Sequence, residues 1–149
     1  RRREVCKKLY FIEEGLTKTF FSNEEKEFIM QFFAEHALFT VVDSFVRQTP
    51  STYEIMALEN TTVTYITWTD LQILCKKHHC IEAAFSKLLS IATINMMKRI
   101  SEMLEESATE RYNHFLDDNG KLLQRISLGD LSNYLGITQV SLSRIRANK

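Results

Sequence analysis

The chain has 149 residues, 44% of them apolar, with nineteen basic residues against nineteen acidic ones and a net charge of zero. That is enough apolar material for one medium domain or two small ones with a buried core, so a disordered chain is excluded, and the neutral total marks neither a polycation nor a polyanion. No run approaches eighteen uninterrupted apolar residues, and three cysteines make no secreted disulfide framework.

The first residues, Arg1-Arg2-Arg3-Glu4-Val5, contain neither Met nor a hydrophobic signal core. The expectation is a soluble cytoplasmic protein, without a membrane partner, whose true start is missing. From Lys8 to about Thr67 the apolar residues come at period two or in short aromatic and β-branched runs: Leu9-Tyr10-Phe11-Ile12, Leu16 to Phe21, Phe28 to Phe33, and Val63 to Thr67. Turn candidates at Glu14-Gly15, Ser22 to Glu25 and Glu59-Asn60 fall between them, which predicts a compact antiparallel roll rather than βαβ units. Pro50 sits in a polar stretch, Arg47 to Thr52, that reads as a loop.

After Trp68 the pattern turns helical. Thr69-Asp70 offers a cap for a short helix over Leu71 to Lys76, and Ile81 to about Glu106 contains neither Gly nor Pro, a helix of roughly 40 Å at 1.5 Å per residue. Two stripes of that helix are apolar, so it needs two partners. One stripe fits the β-domain; the other, Ala84, Leu88 and Ile91 continued by Asn95, is the expected contact with a second copy, with Asn95 either fixing register or simply exposed. Ser107-Ala108-Thr109-Glu110 is a capping pattern for the next helix, which Asp117-Asp118-Asn119-Gly120 stops.

The most informative window runs from Leu128 to Ala147. A helix-turn-helix needs a small residue where two short helices touch, a glycine where the backbone turns, and apolar residues at fixed inward positions. Ser132, Gly136, and Leu131, Leu135, Ile137, Leu142 and Ile145 supply them, and Thr138 caps the second helix. An ordinary helical hairpin is the alternative. Lys121 to Lys149 holds five basic residues and one acid, whereas Ser101 to Asp118 holds six acids and one base, so the neutral total conceals a basic tip suited to phosphates. Candidate DNA contacts are Thr138, Gln139, Val140, Ser141, Ser143, Arg144, Arg146 and Lys149. Arg144 is the expected bidentate reader of guanine, its alternatives being a phosphate contact or an ion pair with Asp130.

At these residues the chain resembles a known family. Cys6 to Gly15, Ala57-Leu58-Glu59, Ala108 to Tyr112, and Tyr134 to Gln139 with Leu142 to Arg146 resemble the Crp/Fnr family of bacterial transcription regulators, in particular its shorter branch common in Bacteroidetes. The resemblance implies an α+β fold: an N-terminal antiparallel β-roll of the cyclic-nucleotide-binding type over residues 1–80, a central dimerisation helix over 81–106, and a helix-turn-helix over 107–149. It implies double-stranded DNA and a homodimer as partners, with an unidentified small-molecule effector. The sequence departs from the family where a cyclic phosphate would be held. Residues 35–51 contain no glycine, and Ser51-Thr52 stands where an Arg and its hydroxyl neighbour would fall, so cyclic AMP is not expected to bind. Val140 replaces an acid of the recognition helix, and the chain given ends without a wing. The rival reading is a ligand-binding or sensory module whose helical tail makes protein contacts.

No cofactor, metal site or catalytic group is expected. Cys75-Lys76-Lys77-His78-His79-Cys80 matches no zinc spacing and reads as a polar turn between helices with a partly buried cysteine. The paired acids lie at turns or helix ends, and neither a nucleophile elbow nor a phosphate loop occurs, so the chain reads as a non-enzyme.

Overall fold

A computed structural model of the chain describes residues 4–23 and 26–147. The first half holds six strands, β1 (Lys8–Glu14), β2 (Thr17–Ser22), β3 (Glu27–Phe33), β4 (Leu38–Phe39), β5 (Glu54–Ala57) and β6 (Thr62–Thr67), with a short helix α1 (Val42–Arg47) between β4 and β5. They form two three-stranded antiparallel sheets, ordered β4-β1-β6 and β3-β2-β5. The glycine at the β1–β2 turn is obligatory: Gly15 has φ +107°, and a Cβ there would stand 2.5 Å from Thr61 Oγ1 and 2.7 Å from Asn60 O. Two features depart from expectation. Helix α1 over Val42 to Arg47 is not anticipated by the sequence pattern; it takes only Arg47 from the expected Arg47–Thr52 loop and ends at Gln48 with φ +53°. The short strand β5, with its mixed Glu-Ile-Met-Ala sequence, shows no alternation to betray it.

The helices follow in order: α2 (Trp68–Lys77), α3 (His79–Glu105), α4 (Ala108–Asn119), a 3-10 turn over Gly120–Gln124, α5 (Leu128–Leu135) and α6 (Gln139–Ala147). Thr67, rather than Thr69, caps α2 by accepting from the Asp70 N–H. The capping box at α4 is present in both directions, with Ser107 accepting from the Glu110 N–H and Glu110 accepting from the Ser107 N–H. His78 alone separates α2 from α3, so the Cys-Lys-Lys-His-His-Cys stretch is a helix junction, with Cys75 half-buried and Cys80 exposed.

Two apolar clusters hold the chain together. In the larger one Leu16, just before β2, and Phe20, Ile29 and Phe32 of β2 and β3 pack with Tyr112, Phe115, Leu122, Leu131, Leu135 and Leu142 of the helices. The outer face of the β3-β2-β5 sheet is therefore the floor of the helical module, and the two halves share one core. The second cluster joins Leu9, Phe45 and Leu71 with Trp68, Ile81, Phe85 and Leu88, Phe45 lying edge-on to Trp68 at 5.1 Å.

Candidate functional site

The helical pair is built as its residues require. Ser127 caps α5 by accepting from the Asp130 N–H, and α5 ends at Gly136, whose φ of +70° lets the chain turn without a Cβ penalty. Thr138 caps α6 by accepting from the Ser141 N–H at 3.1 Å. Leu131, Ser132, Leu135 and Leu142 are buried, and Ile137 and Ile145 pack half-buried against them. Ser132, the small residue at the crossing, donates its hydroxyl to Gly129 O.

Helical spacing opposite Leu142 and Ile145 places Val140, Ser143, Arg144 and Ala147 on the outward face of α6, with Gln139 and Arg146 at its edge. All six are exposed, as is Thr138. Ser141 differs: it is half-buried and its hydroxyl meets Thr138 Oγ1 at 3.0 Å, so it belongs to the cap. Lys149 lies outside the described residues. Asp130 is not the partner of Arg144, because Lys18 holds it. Arg125, counted in the basic tip, is also spoken for, since its guanidinium forks onto both Glu35 oxygens at 2.7 and 2.9 Å and reaches Glu59. This pairing holds the Glu35 carboxyl at about 2, well below the usual 4.5, and raises Arg125 further.

The pair is tied to its surroundings at both ends of α5. At the first turn, Lys18 Nζ reaches Asp130 at 2.6 Å and Glu27 at 2.5 Å. Burial pulls the Lys18 pKa down, but the bonds to Asp130 and Glu27 outweigh it and leave the group above its ordinary value; burial likewise opposes, and the bonds from Lys18 and Ser127 overcome, ionisation of Asp130, whose pKa lies below the usual range. At the last turn Arg99 of α3 donates to Tyr134 O and lies 3.9 Å over the Tyr134 ring, while Arg111 of α4 donates to Leu135 O at 3.1 Å. The carbonyls that end α5 are thus capped by two guanidinium groups.

The central helix carries the second expected contact, and its residues divide. Ala84, Ile91 and Asn95 are exposed, Asn95 at the edge of a cleft with Lys98, Phe115 and Tyr134, whereas Leu88 packs into the cluster around Phe45. Of the stripe expected for a second copy, Leu88 alone is thus taken by the β-domain. A further open face lies one step around the helix. Ile94, Met97 and Leu104 are 63, 66 and 80% exposed, and with Ser90 and Ser101 they follow a three-and-four spacing that continues toward the start of the helix through Lys87 and Ala83. By length and composition α3 is also apolar enough to cross a bilayer.

An open cavity of about 520 Å³ lies between the two sheets, lined among others by Tyr10, Thr17, Phe39, Ser51, Tyr53, Ile55 and Val63. Thr17 is 3% exposed and its hydroxyl has no hydrogen-bond partner among the described residues. The Ser51 hydroxyl is already engaged at both ends of Tyr53, donating to its carbonyl and accepting from its N–H. Val41 stands at the α1 N-terminus and offers no side-chain cap, and Arg47 at the other end is exposed.

His114 meets Glu106 at 3.0 Å on the surface of α4, and His36 occupies a turn with φ +65°. Sequence reasoning missed Lys18, Arg99 and Arg111 as supports of the helical pair, and it assigned Arg125 to phosphates. The one available signal was Lys18 itself, a charge on the same strand face as Leu16 and Phe20.

Residues 1–78 match the family model described as the cyclic nucleotide-binding domain. No curated protein sequence matches. Solved structures do. FixK2 from Bradyrhizobium japonicum is similar with a TM-score of 0.87 at 15% identity, over 99% of this chain and 76% of that one. CLP of Xanthomonas campestris, described as a c-di-GMP responsive global regulator, gives 0.77 at 16% identity over 99 and 79% of the two chains. A CooA variant from Carboxydothermus hydrogenoformans gives 0.75 at 14% identity over 99 and 73%.

Proposed function

Because the chain belongs to the cyclic nucleotide-binding domain family and sets a pair of short helices behind that domain, we propose that it is a cytoplasmic, dimeric, DNA-binding transcription regulator of the Crp/Fnr type. In this reading residues 1–80 are the effector domain, 81–106 the dimerisation helix and 107–149 the helix-turn-helix, and the protein binds rather than catalyses.

The observation that carries the reading is the outward face of α6. Gln139, Val140, Ser143 and Arg144 stand exposed on a helix whose turn, cap and inward residues meet the requirements of a major-groove reader. Arg144 reads guanine through O6 and N7, Val140 offers a thymine methyl its apolar contact, Gln139 serves adenine, and Arg146 and Lys149 take phosphates. Thr138 and Ser141 act mainly through the cap that begins this helix.

Dimerisation uses the open face of α3. An isolated Leu at 80% exposure needs no explanation, but Ile94, Met97 and Leu104 at coiled-coil spacing on one helix suit the same face of a second copy. A membrane is the poorer partner, because Lys87, Lys98, Arg99 and Glu102 lie on the same helix and its other flank packs on Phe45 and Leu71.

Cyclic AMP is not the effector. Among the described residues the cavity lining offers no glycine for close approach of a phosphate and no guanidinium, and the Ser51 hydroxyl is already bonded.

Duplex binding as a function of salt tests the proposal. Affinity should fall steeply between 50 and 200 mM salt, by on the order of ten- to a thousandfold for a few phosphate contacts. Undetectable or salt-independent binding would leave the helical tail to protein contacts.

A further inference from the structure

Lysine is almost never fully buried without a partner. Lys18 is 5% exposed in the middle of β2, a strand of the cavity-bearing domain. Strand alternation explains where it points. Leu16 and Phe20 enter the core shared with Leu131, Leu135 and Leu142, so Lys18, between them, faces the helical module too, while its neighbour Thr17 lines the cavity.

The acceptor on the module side is fixed as firmly as the donor. One oxygen of Asp130 takes the Lys18 ammonium at 2.6 Å and the other accepts from the Ser127 hydroxyl at 2.7 Å, with Asp130 in the first turn of α5. Glu27 of β3 holds the ammonium from the sheet side at 2.5 Å. The tie therefore grips α5 at its N-terminus, whereas Arg99 and Arg111 grip its C-terminus from α3 and α4.

We propose that Lys18 is the positioning residue of the helical pair, setting through Asp130 the orientation in which α5 and α6 are presented, and that β2 is the wall shared by the cavity and the pair. The inference rests on the reading of α6 as the DNA-contacting helix, but its central measurement does not require DNA. Lys18→Met keeps the length of the side chain but removes the ammonium, and with it the cation–π contact to Phe20, leaving Glu27 and Asp130 facing each other unneutralised.

Hydrogen exchange of the whole chain, compared between residues 128–147 and strands β1 to β3, is the test. In Lys18→Met the amides of α5 and α6 should exchange at least tenfold faster while those of the strands stay within twofold. Lys18→Arg should restore slow exchange. Asp130→Asn attacks the tie from the other side, so it decides the question even where the lysine variant fails to fold, and the double variant should be no worse than the worse single one. Selected DNA sites should show a broader range of half-site spacings with Lys18→Met than with wild type. Unchanged exchange in both single variants, equal acceleration throughout the chain, or strictly additive effects would overturn the proposal. A wild type that binds no DNA would sink the regulatory reading and leave the exchange comparison standing as the measure of Lys18.

Discussion

The 27 residues of α3 run the length of the molecule without burying one side chain fully, and Leu104 near its end stays 80% exposed, whereas α5 and α6, of eight and nine residues, close Leu131, Leu135 and Leu142 almost completely from solvent. Both regions are rich in apolar residues, and the difference lies in what covers them. The helical pair is completed inside the chain by Phe20, Ile29 and Phe32 of the sheet; α3 is covered only in part, by the cluster around Phe45 near its start and by Tyr134 at Arg99. Apolar residues that the chain itself covers report stability, and those it leaves in a regular open stripe report a partner.

Substitutions on the two regions should therefore separate. Leu142→Ala, at a fully buried position, should cost about 2–5 kcal/mol and be visible as a lower melting temperature of the whole chain. Within α3 the contrast is between neighbours. Leu88→Glu puts a charge into the cluster around Phe45 and should destabilise the monomer by roughly 1–3 kcal/mol. Ile94→Glu with Met97→Glu should leave monomer stability within about 0.5 kcal/mol and abolish self-association at micromolar concentration in sedimentation. Equal losses of stability from both would erase the distinction between the two flanks.

Acid offers a finer probe, since the pair is tied by carboxylates and the open stripe of α3 has none among Ile94, Met97 and Leu104. Asp130 and Glu35 have pKa values lowered on folding, the latter to about 2, so the stability they contribute is complete above their ordinary values near 4 and disappears as pH falls toward 2. Lys18 has a raised pKa, and its contribution is complete below its ordinary 10.5 and lost only as pH climbs past that. The melting temperature should be nearly flat from pH 5 to 9 and fall below about 4.5, with the amides of α5 and α6 opening before those of β1 and β6.

How much of this was legible in the sequence depended on whether a residue's role was local. The helical pair could be read because its requirements sit within twenty residues: a cap at Thr138, a glycine at Gly136, a small residue at Ser132. The capping box at Ser107 and Glu110 and the turn at Gly15 are local in the same sense. The ties are not. Lys18 meets Asp130 across 112 positions and Arg125 meets Glu35 across 90, and no spacing rule connects them. The sequence alone could not say which sides of α3 are covered, because the helix is apolar on most of them: Leu88 is taken by the cluster around Phe45, whereas Ala84, Ile91 and Asn95 stay exposed. Helix α1 is only six residues long and has no side-chain cap at Val41, so no local signal marks it.

The smallest effect expected is none. Cyclic AMP or cyclic GMP at millimolar concentration should not move the melting temperature, whereas a ligand at a hundred times its dissociation constant would add about 2.7 kcal/mol. A clear upward shift would restore a nucleotide to the cavity despite the absence of glycine from residues 35–51.

Selection of bound duplexes from a randomised pool, at a stated salt concentration, bears most directly on the claim that two copies read DNA through α6. The account predicts an enriched inverted repeat whose half-site centres lie about one helical turn, roughly 10 base pairs, apart, with Arg144→Ala flattening preference at one position in each half. A pool without enrichment, or a single unpaired half-site bound as tightly as any repeat, would contradict it.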